Sequence, residues 1–144
     1  MKKLLSLIAL GLLLYGWYEW HPTLLQGPTE QTVPAAQRLQ TLYRNRQSNV
    51  QVAGDGIVKA LLRDDLQGGR HQKFILELPG GLTLLVSHNI DLAPRIEDLR
   101  KGDRVEFYGE YAWNEKGGVI HWTHQDPQGL HADGWLKHHD RLYQ

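Results

Sequence analysis

The stretch GGVIHWTHQDPQGLHADGW, from Gly117 to Trp135, gathers His121, His124 and His131 with Asp126 and Asp133 in a chain that has eight histidines in all. His124, Asp126, His131 and Asp133 offer two imidazoles and two carboxylates. These are the donors that zinc or a similar divalent ion takes, at about 2.0–2.2 Å. Strand side chains alternate. In VIHWTH, Ile120, Trp122 and His124 therefore go to one side and His121 and Thr123 to the other, so His121 and His124 cannot share an ion while the strand is regular. The other donors sit at the strand end and in the loop, where alternation separates nothing. Their spacing matches no named metal motif. The competing reading makes Asp126-Pro127 a turn shaped further by Gly129 and Gly134. No cofactor is expected, and a divalent metal such as zinc at these four residues is the exception kept open.

Two more constellations come from strand register. Pro79-Gly80-Gly81 reads as a three-residue hairpin loop, so Leu78 faces Leu82, Phe74 faces Val86, Gln72 faces His88 and His71 faces Asn89. Gln72 and His88 fall on the core side and His71 and Asn89 on the other, all at one rim beside Asp91 and Arg95. These six are the ligand-binding candidates. The alternative is a plug of polar groups that satisfy one another at the barrel end. Across the turn Asn114–Gly117, His121 faces Glu110 and Trp122 faces Gly109. His121 with Glu110 is the catalytic candidate, a general base with its orienting carboxylate, or a cross-strand polar pair on a wet face. Trp122 is expected in the core, filling the space over Gly109.

The positioning elements are short strands. GIVKALLR (Gly56 to Arg63), HQKFILEL (His71 to Leu78), LTLLVSH (Leu82 to His88), RVEFYGEYAW (Arg104 to Trp113) and VIHWTH alternate or run apolar between Gly and Pro turns. A hairpin, then the irregular crossover HNIDLAPRIEDLRKGD, then a second hairpin match a mainly β, five-stranded OB-like barrel. Gly109 lets the fourth strand bend at a barrel corner. The expected organisation is a signal anchor at 1–20, a linker at 21–33, a short amphipathic helix at 34–47, the barrel at 50–126 and a C-terminal loop and hairpin at 127–144. His138, His139 and Asp140 look like the tip of that hairpin, with little chemistry expected.

GDGIVKALLRDD, GGRHQKFIL, HNIDLAPRI, GGVIHWTH and the closing DGW together resemble a family of bacterial exported proteins known only as a domain of unknown function. The resemblance spans roughly residues 50–144. It implies an exported protein and brings no activity with it.

The gross numbers bound the function. The chain has 144 residues, room for one domain and a short appendage. Without Lys2 and Lys3, 14 of its 16 basic residues remain against 16 acidic ones. Nucleic acid stays possible as a partner, but this balance does not support it. With no cysteine there is no disulfide, thiolate ligand or Cys nucleophile. Lys2-Lys3 followed by an apolar run from Leu4 to Tyr18 reads as a signal anchor. Large residues follow Gly16 where a peptidase wants small ones, so the anchor is expected to stay. Trp17, Tyr18 and Trp20 form an interfacial belt, and the domain lies outside the cytoplasm. A cleaved, secreted form is the alternative. The sequence therefore points to an exported, membrane-tethered, non-enzymatic binding module for an unknown ligand or protein partner. The alternatives are a metal-dependent hydrolase or nuclease using the His/Asp clusters and a structural envelope assembly protein.

Overall fold

The computed structural model describes residues 34–144. The expected anchor and linker lie outside them. Among the described residues no helix is long and apolar enough to cross a membrane.

Helix α1 (Ala35–Arg44) begins after Pro34, whose carbonyl accepts from Gln37 and Arg38. A proline suits that place because the first amides of a helix have no partner inside it. The helix ends where Arg46 turns left-handed (φ 53°). Gln47 N–H then reaches back to Leu42 O and Arg46 N–H to Tyr43 O, closing the exposed carbonyls. Its apolar side buries Leu39 and Leu42.

Seven strands follow: β1 (Val50–Leu61), β2 (His71–Glu77), β3 (Thr83–Asn89), β4 (Arg104–Ala112), β5 (Val119–His121), β6 (Trp135–His138) and β7 (Arg141–Tyr143). Their order is β1-β2-β3-β5-β4, and β1 also pairs with β4, so five strands close into a barrel. The β3–β5 contact is parallel, and the neighbouring pairs are antiparallel. This is the OB-type order, and closure removes the free edges of an open sheet.

The first strand begins earlier than expected, at Val50 rather than Gly56, because β1 serves two partners. Val50 to Ile57 pair with β4, while Ile57 to Leu61 pair with β2 through a bulge between Val58 and Ala60. Gly54 and Gly56 lie where the strand rounds the corner. A Cβ at Gly54 would stand 2.7 Å from the Phe107 ring, and one at Gly56 2.9 Å from Glu77 O. Glycine inside a strand marks such close approaches.

The core follows the alternation. Phe74, Leu76, Leu84, Val86, Val105, Phe107, Tyr111 and Ile120 are fully buried. The irregular β3–β4 crossover adds Ile96 and Leu99. β6 pairs with β4 beyond the end of β5 (Tyr108↔Trp135 to Val105↔His138), and β7 pairs with β6, giving the C-terminal hairpin.

Candidate functional site

The β2–β3 register is the expected one, with Phe74↔Val86, Gln72↔His88 and His71↔Asn89. Leu78 N–H donates to Leu82 O across the Pro79-Gly80-Gly81 loop. The rim therefore splits by parity. On the inside, Gln72 clamps one residue of the crossover: its Nε2 donates to Ile96 O and its Oε1 accepts from Ile96 N–H, both at 2.9 Å. His88 lies 3.1 Å (Nε2) from Pro94 O and 2.8 Å (Nδ1) from Thr123 Oγ1. A carbonyl only accepts, so Nε2 carries the proton and Nδ1 accepts from the threonine hydroxyl. Burial pushes the His88 pKa down to about 4 and keeps the ring neutral. These two candidates form the plug and are engaged inside the protein.

On the outside, His71 Nδ1 donates to Gly69 O at 2.8 Å, which leaves Nε2 as the basic nitrogen. Asn89 Oδ1 accepts from Asp91 N–H, leaving the Asn89 amide NH2 as a donor. Asp91 is held by Arg70, through the backbone amide at 2.7 Å and Nε at 2.6 Å. These bonds keep its carboxyl below the usual range, with the amide contributing most. Arg95 bonds Asp64 and Glu97 and borders a different hollow from His71 and Asn89.

The second hairpin also has the expected register, Glu110↔His121. The departure comes one residue later. Trp122 adopts a left-handed backbone (φ 53°), so β5 stops at His121 and alternation ends. Trp122 is only half-buried, and Thr123 takes the inward place and bonds His88. The space over Gly109 is filled by backbone and a methyl group: a Cβ there would lie 2.5 Å from His121 O and 2.9 Å from Thr123 Cγ2. The expected indole in the core is thus corrected. The Trp122 ring instead stacks on His131, centroids 4.2 Å apart and planes 6° from parallel.

Glu110 stands between two imidazoles. His131 Nε2 is 2.8 Å from Oε2, and its Nδ1 is 3.0 Å from Ala132 O. Both nitrogens face acceptors, which favours the imidazolium. The Ala132 carbonyl first, and Glu110 after it, raise the His131 pKa. His121 Nε2 lies 3.3 Å from Oε1 but is out of line for a hydrogen bond and has no partner. Burial lowers the His121 pKa despite the carboxylate. The carboxylate therefore stands between one ring whose charged form its surroundings favour and one whose charged form burial disfavours. Beyond it on β1, Gln51 pairs with Glu110, and both ends of the buried Gln51 amide are unpartnered.

His71, Ser87, Asn89, His121, Trp122 and His124 line a cleft of about 210 Å³. Ser87 was not among the sequence candidates. It follows Val86 on β3, which pairs with Ile120, so Ser87 runs beside His121. Only the parallel β3–β5 contact brings the two together, and such contacts leave no local signature. A larger hollow of about 700 Å³ runs along β1 and the end of β2, bordered by Ile57, Val58, Leu78 and Pro79. It is mainly apolar, and of the charged groups on its border Lys59 is paired with Glu77 and Asp55 with Arg104, so the smaller cleft, with its unpaired polar side chains, is the stronger candidate.

The four-residue metal candidate is not assembled. Asp126 accepts backbone N–H bonds from Gln128, Leu130 and His131, and Asp133 accepts from Asp126 N–H. His124 Nδ1 bonds Gln125 O at 2.6 Å, and His131 is committed to Glu110. A loop with so few backbone partners uses its carboxylates as internal caps. The Gln128 amide leads the effects that hold the Asp126 carboxyl below its ordinary range.

No curated protein matches the chain. Residues 23–144 match the model of a family described as a protein of unknown function, DUF3465, which covers the barrel, the plug and the cleft, and the chain belongs to that family.

Proposed function

We propose that this protein is an exported, membrane-tethered OB-type binding module that holds a small polar ligand, or the polar end of a larger one, in the cleft beside Trp122. The carrying observation is the unused hydrogen-bonding capacity gathered there. The His71 Nε2 lone pair, the Asn89 amide and the Ser87 hydroxyl surround an indole braced by His131 and Glu110. Groups fixed on strands and supported from behind make a preorganised site. Lys2-Lys3 and the apolar run after them support export and tethering.

Ser87, His121 and Glu110 occupy neighbouring places on β3, β5 and β4, which favours a second reading as an acyl hydrolase. His121 would take the proton of the attacking Ser87 hydroxyl, and Glu110 would steady the resulting imidazolium. One set of experiments separates the two. Membrane fractionation and the N-terminal mass of the mature protein test the tether, which fails if the chain starts after Trp20. In a titration with small saccharides, dipeptides and carboxylates, amide and indole resonances of Ser87, Asn89, His121 and Trp122 should move together. Asn89→Ala should weaken that response tenfold or more. Shifts confined to the hollow along β1 would overturn the cleft as the binding site. A fluorophosphonate adduct on Ser87, detected by mass, would replace the binding reading with the hydrolytic one.

A further inference from the structure

The β6–β7 hairpin turns through His139 and Asp140, whose φ values are 45° and 60°. Two-residue turns of this hand are the usual place for Asn-Gly, because both central residues must be left-handed. Here a histidine and an aspartate hold that backbone, and such strain often marks a functional position. The turn also breaks alternation, so the adjacent rings of His138 and His139 lie together, centroids 3.9 Å apart.

His138 is buried at 1% exposure. Its Nε2 is 2.8 Å from Asp103 Oδ2, and its Nδ1 is buried with no hydrogen-bond partner. That Nδ1 lies 3.6 Å from Asp98 Oδ1, and His139 Nδ1 lies 3.7 Å from Asp98 Oδ2. One ligand atom from each of Asp98, His138 and His139 falls within 4.8 Å of the others. The two separations to Asp98, 3.6 and 3.7 Å, are too long for hydrogen bonds. They are close to the edge of a coordination tetrahedron, about 3.3 Å for bonds near 2.0 Å.

We propose that Asp98, His138 Nδ1 and His139 Nδ1 form a solvent-open site for a divalent transition metal of the zinc type. Two imidazoles and one carboxylate favour zinc, copper or nickel over magnesium or calcium. Asp103 on the far nitrogen of His138 is the positioning carboxylate that such ligand histidines usually have. His139 and Asp98 are 66% and 61% exposed, so an ion can enter and keep a water as a further ligand. Asp98, His138 and His139 border a hollow shared with two arginines, of which Arg95 is neutralised by Asp64 and Glu97, and Arg141 lies over the Tyr143 ring. The ion would tie the C-terminal hairpin to the β3–β4 crossover. This site is separate from the cleft and does not depend on its function.

The test uses the full chain, stripped with chelator and titrated with zinc chloride. One equivalent should bind with a dissociation constant in the micromolar range or below. The melting temperature should rise with zinc and not with magnesium. His139→Asn keeps a side chain that tolerates the left-handed turn. It should leave the melting temperature of the stripped protein unchanged or higher and weaken zinc binding at least tenfold. Asp98→Asn should weaken binding similarly. Histidine-ring NMR should show zinc-induced shifts at His138 and His139 in the parent chain. Zinc affinity that survives both substitutions, or shifts at His121 and His131 instead, would overturn the site, as would binding no tighter than millimolar.

Discussion

Gly109→Val is expected to destabilise the barrel by about 3 kcal/mol, the upper end of what overpacking a filled core costs. The obstacle is rigid. A Cβ at this position meets His121 O at 2.5 Å and Thr123 Cγ2 at 2.9 Å. The threonine methyl can yield, but the carbonyl belongs to the last residue of β5 and cannot move without loosening the Glu110↔His121 pair. Thr123→Ser in the same chain should therefore recover only a minor part of the loss. Denaturant unfolding followed by tryptophan fluorescence gives both numbers. A Gly109→Val protein within about 0.5 kcal/mol of the parent would contradict this packing, since ordinary surface changes have effects of that size.

Acidification from pH 6.5 to 4 is expected to remove about 3 kcal/mol through His88 alone. Its pKa falls from 6.5 in the unfolded chain to about 4 in the fold, and each unit of difference is worth about 1.4 kcal/mol. Below pH 6.5 the unfolded state takes a proton that the buried ring refuses, so stability declines until the folded ring also titrates. His121, whose pKa burial also lowers, adds to the same acid limb, and His131 works in the opposite direction. Its raised pKa gives a contribution that is complete below 6.5 and lost as pH rises through the folded value. The carboxyls of Asp91 and Asp126, held below 3.8, lose their contributions only under more acidic conditions. Stability measured against pH should thus fall on the acid side of 6.5, and His88→Gln should flatten that limb. An acid limb of unchanged steepness in the variant would refute the assignment to His88.

Both hairpin registers were legible because loop length fixes parity: a three-residue loop leaves one set of facing pairs, and every side chain then has a determined face. Gln72 beside His88 and His121 beside Glu110 follow from that rule alone. The rule fails at the first left-handed residue. Nothing in HWTH announces that Trp122 turns over, and after it Thr123 rather than Trp122 enters the core. The same failure hides the pairing of His138 with His139, since strand alternation assigns neighbours to opposite faces. Ser87 beside His121 and His131 on Glu110 depend on contacts distant in sequence, one across a parallel strand pair and one across a folded loop. The early start of β1 was masked by Gly54, which looks like a turn residue and serves instead, with Gly56, as a close-approach position in a coiled strand.

The chain leaves the edge of β4 after His121 and returns to the same edge at Trp135, with Gly134 N–H bonded to His124 O at the neck of the excursion. What lies between is an inserted lobe in an otherwise continuous wall. Its shape depends mainly on its own caps, Asp126 and Asp133, and its tip carries Leu130 at 84% exposure. The lobe meets the barrel through Thr123, which bonds His88, and through the His131–Glu110 contact. Residues from Pro127 to Leu130 can consequently change in length and chemistry without disturbing barrel closure. The frame and the rim of the cleft are two separately adjustable parts, and the architecture can diversify at one without renegotiating the other.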